Sequence, residues 1–300
     1  MTISESVQEF ILDQRCRGHS PHTIDYYTRL LRRFGEFADE LQLTDVDQIS
    51  LTVCKRFYLS LTELELSSIS VQSYVRGFRA YVECLYVSDL IEDEICRRFK
   101  LPKATRKVID ILTDDELQRL FLSFDTSTFP GLRDYTICTL MVDSGLRLHE
   151  VVALERKHVH LDERYLIVTG KGDKQRIVPF GDFTARTLRA YEDARKSWCP
   201  PVTQFFVTID GDPISDTTLK DVFRKLKHRS DIPRLHPHLL RHTFATNYLR
   251  NGGDIYTLQA ILGHTSLEMV KRYLHLSSQL LVNAYTSPMD VLRNKKSPRS

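Results

Sequence analysis

The chain has 300 residues, with 42 Lys+Arg against 39 Asp+Glu, a formal charge of +3 and 42% hydrophobic content. That length suits about two ordinary domains, each able to bury a core without disulfide or metal staples. The composition excludes a wholly disordered chain, and no apolar run approaches the roughly 20 residues of a membrane helix.

Residues 5–100 read as helices. Met1-Thr2-Ile3-Ser4-Glu5-Ser6 lacks the basic flank and apolar stretch of a signal peptide, so the expected compartment is the cytoplasm and no membrane partner is expected. Ser20-Pro21 has the form of a helix start, with Ser as cap and Pro at the first position. Ile24, Tyr27, Leu30, Leu31, Phe34 and Phe37 then form a helical stripe. A second amphipathic run covers about 51–64. A third covers about 70–86, with Val71, Tyr74, Val75, Phe78, Val82 and Leu85 inward and Arg76 and Arg79 together on the other side. These runs predict a small helical bundle over 1–104.

Leu101-Pro102-Lys103-Ala104-Thr105-Arg106-Lys107 carries a proline, several cations and little to bury, so a linker is expected over about 101–112 with the domain boundary near 104. Thr113-Asp114-Asp115-Glu116 restarts a helix with a capping box. Residues 133–142 form a mostly apolar helix. Leu161, Tyr165–Val168 and Arg176–Pro179 look like short strands, with turns at Asp162-Glu163 and at 170–174. From Thr217 to about Ala284 the pattern is helical again, and the basic tail from Asn294 is expected to be disordered. The fold class is thus mainly α with a small antiparallel sheet: a helical bundle followed by an α+β domain.

The small net charge hides an asymmetry. Residues 1–104 hold 13 basic and 16 acidic residues, and the remainder holds 29 and 23. The excess in the second part hints at an anionic partner without establishing one. The six cysteines contain no C-x-x-C pair, which points to buried free thiols and away from a zinc or redox site. There is no phosphate-binding loop ending in Lys-Ser/Thr, no H-E-x-x-H and no acidic cluster spaced for two metals. No cofactor is expected.

What remains is a set of cations and one tyrosine. Ser144-Gly145-Leu146-Arg147-Leu148-His149-Glu150 follows the apolar helix, and Gly170-Lys171-Gly172-Asp173-Lys174 lies in the hairpin. His236-Pro237-His238-Leu239-Leu240-Arg241-His242 opens a helix, with His238 and Arg241 on one face. Leu262-Gly263-His264 ends the next helix. Tyr273 follows nine residues later, in a helix opened by the capping-box pattern Thr265-Ser266-Leu267-Glu268. Two arginines can grip the non-bridging oxygens of a phosphodiester and stabilise a pentacoordinate transition state. A lysine can protonate a departing alkoxide, histidines can move protons, and a tyrosine hydroxyl can attack phosphorus. Taken singly, each has a plainer reading: Arg147 as an ion-pair partner of Glu150, His238 as a satisfied polar group, Lys171 as a solvated turn cation and Tyr273 as packing.

The order and spacing of these residues resemble the tyrosine recombinases of the lambda-integrase family, close in layout to Xer-type enzymes, over nearly the whole chain. The resemblance implies a SAM-like core-binding domain over 1–104 and a catalytic domain over 105–300, with an exchange segment at about 276–300 that docks on a neighbouring protomer. It implies catalytic roles for Arg147, Lys171 (with Lys174 a second candidate), His238, Arg241, His264 and Tyr273. It also implies double-stranded DNA with an inverted-repeat core site as partner, a tetramer on two DNA sites, and room in that tetramer for a second recombinase. Expected DNA contacts are Lys55, Arg56, Arg76 and Arg79 in the bundle, and Lys174, Arg176, Arg224, Lys225 and Lys227 in the catalytic domain. One departure is His149, where many members have a small residue. The arm-binding domain of larger phage integrases is not expected. Two rivals are a type IB topoisomerase-like nicking–closing enzyme and a DNA-binding regulator on the same scaffold.

Overall fold

A computed structural model describes residues 1–91, 95–100, 109–170, 173–198, 202–264 and 266–274. The chain divides into two compact units, 1–107 and 108–300. Residues 101–108 of the linker expected over about 101–112, Lys171, Thr265 of the expected capping box and the exchange segment expected at about 276–300 lie outside the described residues.

The first unit contains helices α1 (Ile3–Cys16), α2 (Pro21–Glu40), α3 (Leu51–Glu63), α4 (Ser68–Val87) and the short α5 (Ile95–Arg98). Their starts follow from local chemistry. Thr2 and Glu5 cap α1 reciprocally, Ser20 caps α2 with Pro21 in the first turn, and Ser50 and Ser67 accept backbone N–H bonds at the starts of α3 and α4. The apolar stripes converge on Leu30, Leu31, Phe34, Phe57, Phe78 and Tyr81, all essentially excluded from solvent. Phe34, Phe57 and Phe78 meet at ring-centroid distances of 4.6–5.2 Å, separations at which aromatic pairs attract beyond their burial. The Tyr81 hydroxyl pairs with Ser6 at 2.6 Å, and burial pushes its pKa up to about 12.

The second unit comprises α6 (Asp114–Leu122), α7 (Phe129–Ser144), α8 (Leu148–Val152), strands β1 (Val159–His160), β2 (Tyr165–Thr169) and β3 (Gln175–Pro179), then α9 (Asp182–Trp198), α10 (Asp216–Arg229), α11 (Pro237–Arg250), α12 (Ile255–Leu262) and α13 (Leu267–Leu274). The expected capping box at Thr113 is present. The strands form one antiparallel sheet in the order β1-β2-β3, with Leu166 opposite Val178 and Thr169 opposite Gln175. Helix α7 packs against α9 and α11, and α13 against α11 and α12.

Three expectations are corrected. The first strand is Val159–His160, and Leu161 starts the turn, in which Arg164 adopts φ 59°. Helix α9 is a full element that the apolar pattern did not announce: its buried face holds Ala185, Leu188 and Tyr191, but also Thr184, Thr187 and Arg195. Among the described cysteines, Cys54 and Cys138 are buried free thiols, whereas Cys16 is exposed.

Candidate active site

The site begins where α7 ends. Gly145 takes φ 65° to cap that helix, and a Cβ there would stand 2.3 Å from the Phe244 ring, so only glycine fits. This turn launches α8 with Arg147 at its N-cap. The Arg147 backbone N–H donates to Glu150 Oε2 and its guanidinium donates to Glu150 Oε1, both at 2.9 Å. The ion pair that the spacing suggested is present, and the Arg147 side chain keeps 26% exposure.

Glu150 is shared. Arg176, reaching from β3, donates both terminal nitrogens to its two oxygens at 2.9 Å, and donates Nε–H to the Ile261 carbonyl at 2.7 Å. Burial alone would raise the Glu150 pKa. The hydrogen bonds and charge of Arg176, then those of Arg147, overcome burial and hold it at about 2. Arg176, expected above as a DNA contact, acts as an internal clamp: its guanidinium is engaged inside the domain and its side chain is 13% exposed. It also lies across Gly263, the α12 cap at φ 62°, where a Cβ would meet it at 3.0 Å.

Helix α11 supplies the next group. His236 caps it through Nδ1, which accepts the Leu239 N–H at 3.1 Å, with Pro237 in the first turn. Arg241, 3% exposed, donates to the carbonyls of Gly145 at 2.6 Å and Leu262 at 2.8 Å. Both carbonyls lie at helix C-termini, where the partial charge is negative. Burial, then the Arg147 charge, lowers the Arg241 pKa to about 10, so it stays cationic at neutral pH. Its other contact is His264 Nε2 at 3.0 Å. Guanidinium only donates, so Nε2 accepts and the His264 proton sits on Nδ1. Burial, then Arg241, Arg147 and Arg176, pull the His264 pKa down to about 4. His238 is likewise lowered, by burial and then by Arg241, Arg147 and His149.

Tyr273 on α13 is 3% exposed, and its hydroxyl lies 2.9 Å from His242 Nδ1. Thus Arg147 at the start of α8, His238 and Arg241 on α11, His264 after the end of α12 and Tyr273 on α13 converge on one locality. Lys171 lies outside the described residues; the hairpin that carries it is closed by the Gly170 N–H donating to the Lys174 carbonyl at 2.8 Å. Lys174 is exposed. In the first unit Lys55, Arg56 and Arg76 are exposed and Arg79 is half-buried. On α10, Arg224 and Lys225 are exposed and Lys227 is half-buried, with Arg224 paired to Asp221. Sequence reasoning missed His242, although the second histidine of His-Leu-Leu-Arg-His was visible one helical turn past His238. Among the described residues no cluster of His, Cys, Asp and Glu could hold a metal ion, and no helix is long and apolar enough to cross a membrane.

Residues 110–279 match the phage integrase family, and residues 8–83 match the phage integrase N-terminal SAM-like domain. The chain is 33% identical over 281 residues to the tyrosine recombinase XerC of Xanthomonas campestris pv. campestris (strain B100), covering 93% of this chain and 86% of that protein. It is 30% identical over 278 residues to the XerC of Bacillus pumilus (strain SAFR-032), covering 90% and 91%. Among solved structures it resembles XerA recombinase, at 27% identity and TM-score 0.52 over 99% of this chain and 100% of that one. It shares its fold with the Tn1549 transposon integrase in complex with a circular intermediate DNA, at 21% identity and TM-score 0.76 over 91% and 94%. The chain belongs to the phage integrase family, and within it is a Xer-like tyrosine recombinase, a DNA-binding enzyme of site-specific recombination. These likenesses do not favour the topoisomerase-like or regulator readings.

Proposed function

We propose that Tyr273 attacks a scissile phosphate and becomes joined to the 3′ phosphate, releasing a 5′ hydroxyl. Arg147 and Arg241 hold the non-bridging oxygens, and the Nδ1–H of His264 adds a donor of the kind a developing oxyanion requires. Lys171 protonates the leaving 5′ oxygen, and His238 assists proton transfer at the tyrosine. The phosphotyrosyl ester conserves the bond energy, so the cycle consumes no ATP, and the charge is met by arginines in place of a metal. A partner strand's 5′ hydroxyl reverses the attack, and repetition on the remaining strands passes through a Holliday junction. The enzyme acts in the cytoplasm as a tetramer on two inverted-repeat core sites, alone or with a second recombinase, to integrate or excise a mobile element or resolve a dimer. The helical unit, through Lys55, Arg56, Arg76 and Arg79, and the cations Lys174, Arg224, Lys225 and Lys227 contact the DNA backbone.

The observation that carries this reading is buried Arg241, bonded to His264 and within the field of Arg147 and of buried Tyr273, with His238 in the field of both arginines. Covalent trapping tests it. The protein is mixed with fragmented genomic DNA without divalent metal and quenched with detergent, and the attached DNA is sequenced beside Tyr273→Phe. Wild type should capture one short inverted-repeat sequence and the variant none. Equal capture by both would remove Tyr273 as nucleophile.

A further inference from the structure

The hydrogen bond at the nucleophile singles out a histidine beyond the six residues of the resemblance. His242 lies four residues after His238 on α11, so the two rings share a face one turn apart. Their surroundings differ. The charges acting on His238 are those of Arg241 and Arg147, assigned above to the phosphate, and that of His149. His242 instead sets Nδ1 2.9 Å from the Tyr273 hydroxyl, with ring centroids 5.7 Å apart. That is the reach a proton acceptor needs, and at 3% exposure of Tyr273 bulk water is largely kept from the hydroxyl.

We infer that His242 is a catalytic residue that orients the Tyr273 hydroxyl and accepts its proton during attack. Neutral His242 with its hydrogen on Nε2 offers the Nδ1 lone pair to the phenol. As the bond from Tyr273 Oη to phosphorus forms and the bond from phosphorus to the 5′ oxygen breaks, the phenolic proton passes to Nδ1, and the 5′ oxygen takes a proton from the acid on the leaving side. In rejoining, the 5′ hydroxyl gives that proton back, and Oη leaves with the one His242 holds, so the cycle balances. Arg241 and Tyr273 lie within each other's field, which favours negative charge on Oη as the proton departs. The proton transfer at the tyrosine, given above to His238, thereby passes to His242, and His238 is left to the phosphate side. The inference rests on the reading of Tyr273 as nucleophile.

The test uses the full chain and the duplex recovered by trapping, under single-turnover conditions, with two forms of that duplex: the ordinary one and one whose scissile 5′ oxygen is replaced by sulfur, a leaving group that needs no proton. His242→Asn keeps an acceptor close to the Nδ1 position but cannot take up a proton; His242→Ala removes both. Both variants should bind DNA as wild type does and form the covalent complex about 100-fold more slowly on both duplexes, with imidazole partly restoring His242→Ala. Wild-type rates in His242→Asn would overturn the inference by reducing the bond to orientation. Rescue of His242→Ala by the sulfur duplex would overturn it by moving the role to the leaving group. If His242→Ala fails to fold, His242→Asn decides. A covalent complex in Tyr273→Phe would sink the nucleophile reading itself, whereas its loss there alongside wild-type rates in His242→Asn would sink this inference alone.

Discussion

In residues 1–107 the interior is aromatic; in residues 108–300 it is crossed by charge. The first unit packs Phe34, Phe57, Phe78 and Tyr81 together, and its buried polar residues among those described are Ser6 and Gln14. The second unit buries Arg133, Glu150, Arg195 and Arg241. A buried charge is costly unless paired, and a buried pair adds less stability than apolar packing of the same volume. The bundle has an inexpensive interior, and the DNA contacts proposed for it lie on its surface. In the second unit Arg133 and Arg195 hold backbone carbonyls, while Glu150 and Arg241 lie in the candidate site, where the chemistry proposed above calls for cations fixed before the charge develops.

A matched pair of substitutions tests that contrast most sharply. Arg176→Met leaves Glu150 with Arg147 as its remaining cation and should cost about 3–5 kcal/mol, confined to the second unit. Phe78→Ala should cost about 3–5 kcal/mol by opening a cavity, confined to the first. Denaturant unfolding read by hydrogen exchange in each unit measures both. The combined Arg176→Met, Glu150→Leu change should recover most of the first loss, because it removes the stranded charge. A cost for Arg176→Met no larger than that of an exposed arginine would mean the buried ions carry little.

Acid should separate the units next. The Glu150 pKa is depressed in the fold, so its contribution is complete above the ordinary carboxylate value and is lost as pH falls from there through about 2. His264 is held neutral with a pKa of about 4. The unfolded chain binds that proton near the ordinary histidine value, so stability is also lost as pH falls from there toward 4. The melting temperature of the second unit should therefore drop in two stages, and His264→Gln should flatten the upper one. An unchanged upper stage in that variant would assign it to another group.

The smallest effect concerns the outer face of the bundle. Arg76→Ala should reduce the slope of log affinity against log salt by about 1, with the melting of both units unchanged. An unaltered slope would place the DNA on a different face.

Much of this was legible in the sequence. The Ser20-Pro21 cap announced α2 and apolar stripes announced α2 to α4, because Ser and Pro act on the backbone within one turn, and burial repeats every three to four residues. Helix α9 escaped because it directs Thr184, Thr187 and Arg195 inward beside its apolar residues, which blurs the stripe. The order of glycines, arginines and histidines placed five of the six expected catalytic residues in one locality, with Lys171 outside the described residues.

Arg176 shows where that reading stops. In Arg176-Ile177-Val178 alternate residues share a face, and both apolar residues are candidates for the core. The pairing of β2 with β3 turns Val178 inward, carries Arg176 in with it and leaves Ile177 63% exposed. The carboxylate that receives Arg176 is 26 residues away and the carbonyl 85. Likewise His242 meets a hydroxyl 31 residues on. Helix starts, the apolar stripes and the candidate residues were set by the sequence through interactions that reach a few residues along the chain. The partner of each charge and the histidine at the Tyr273 hydroxyl were decided by the tertiary structure, because strand register and helix packing alone bring distant polar groups within hydrogen-bonding range.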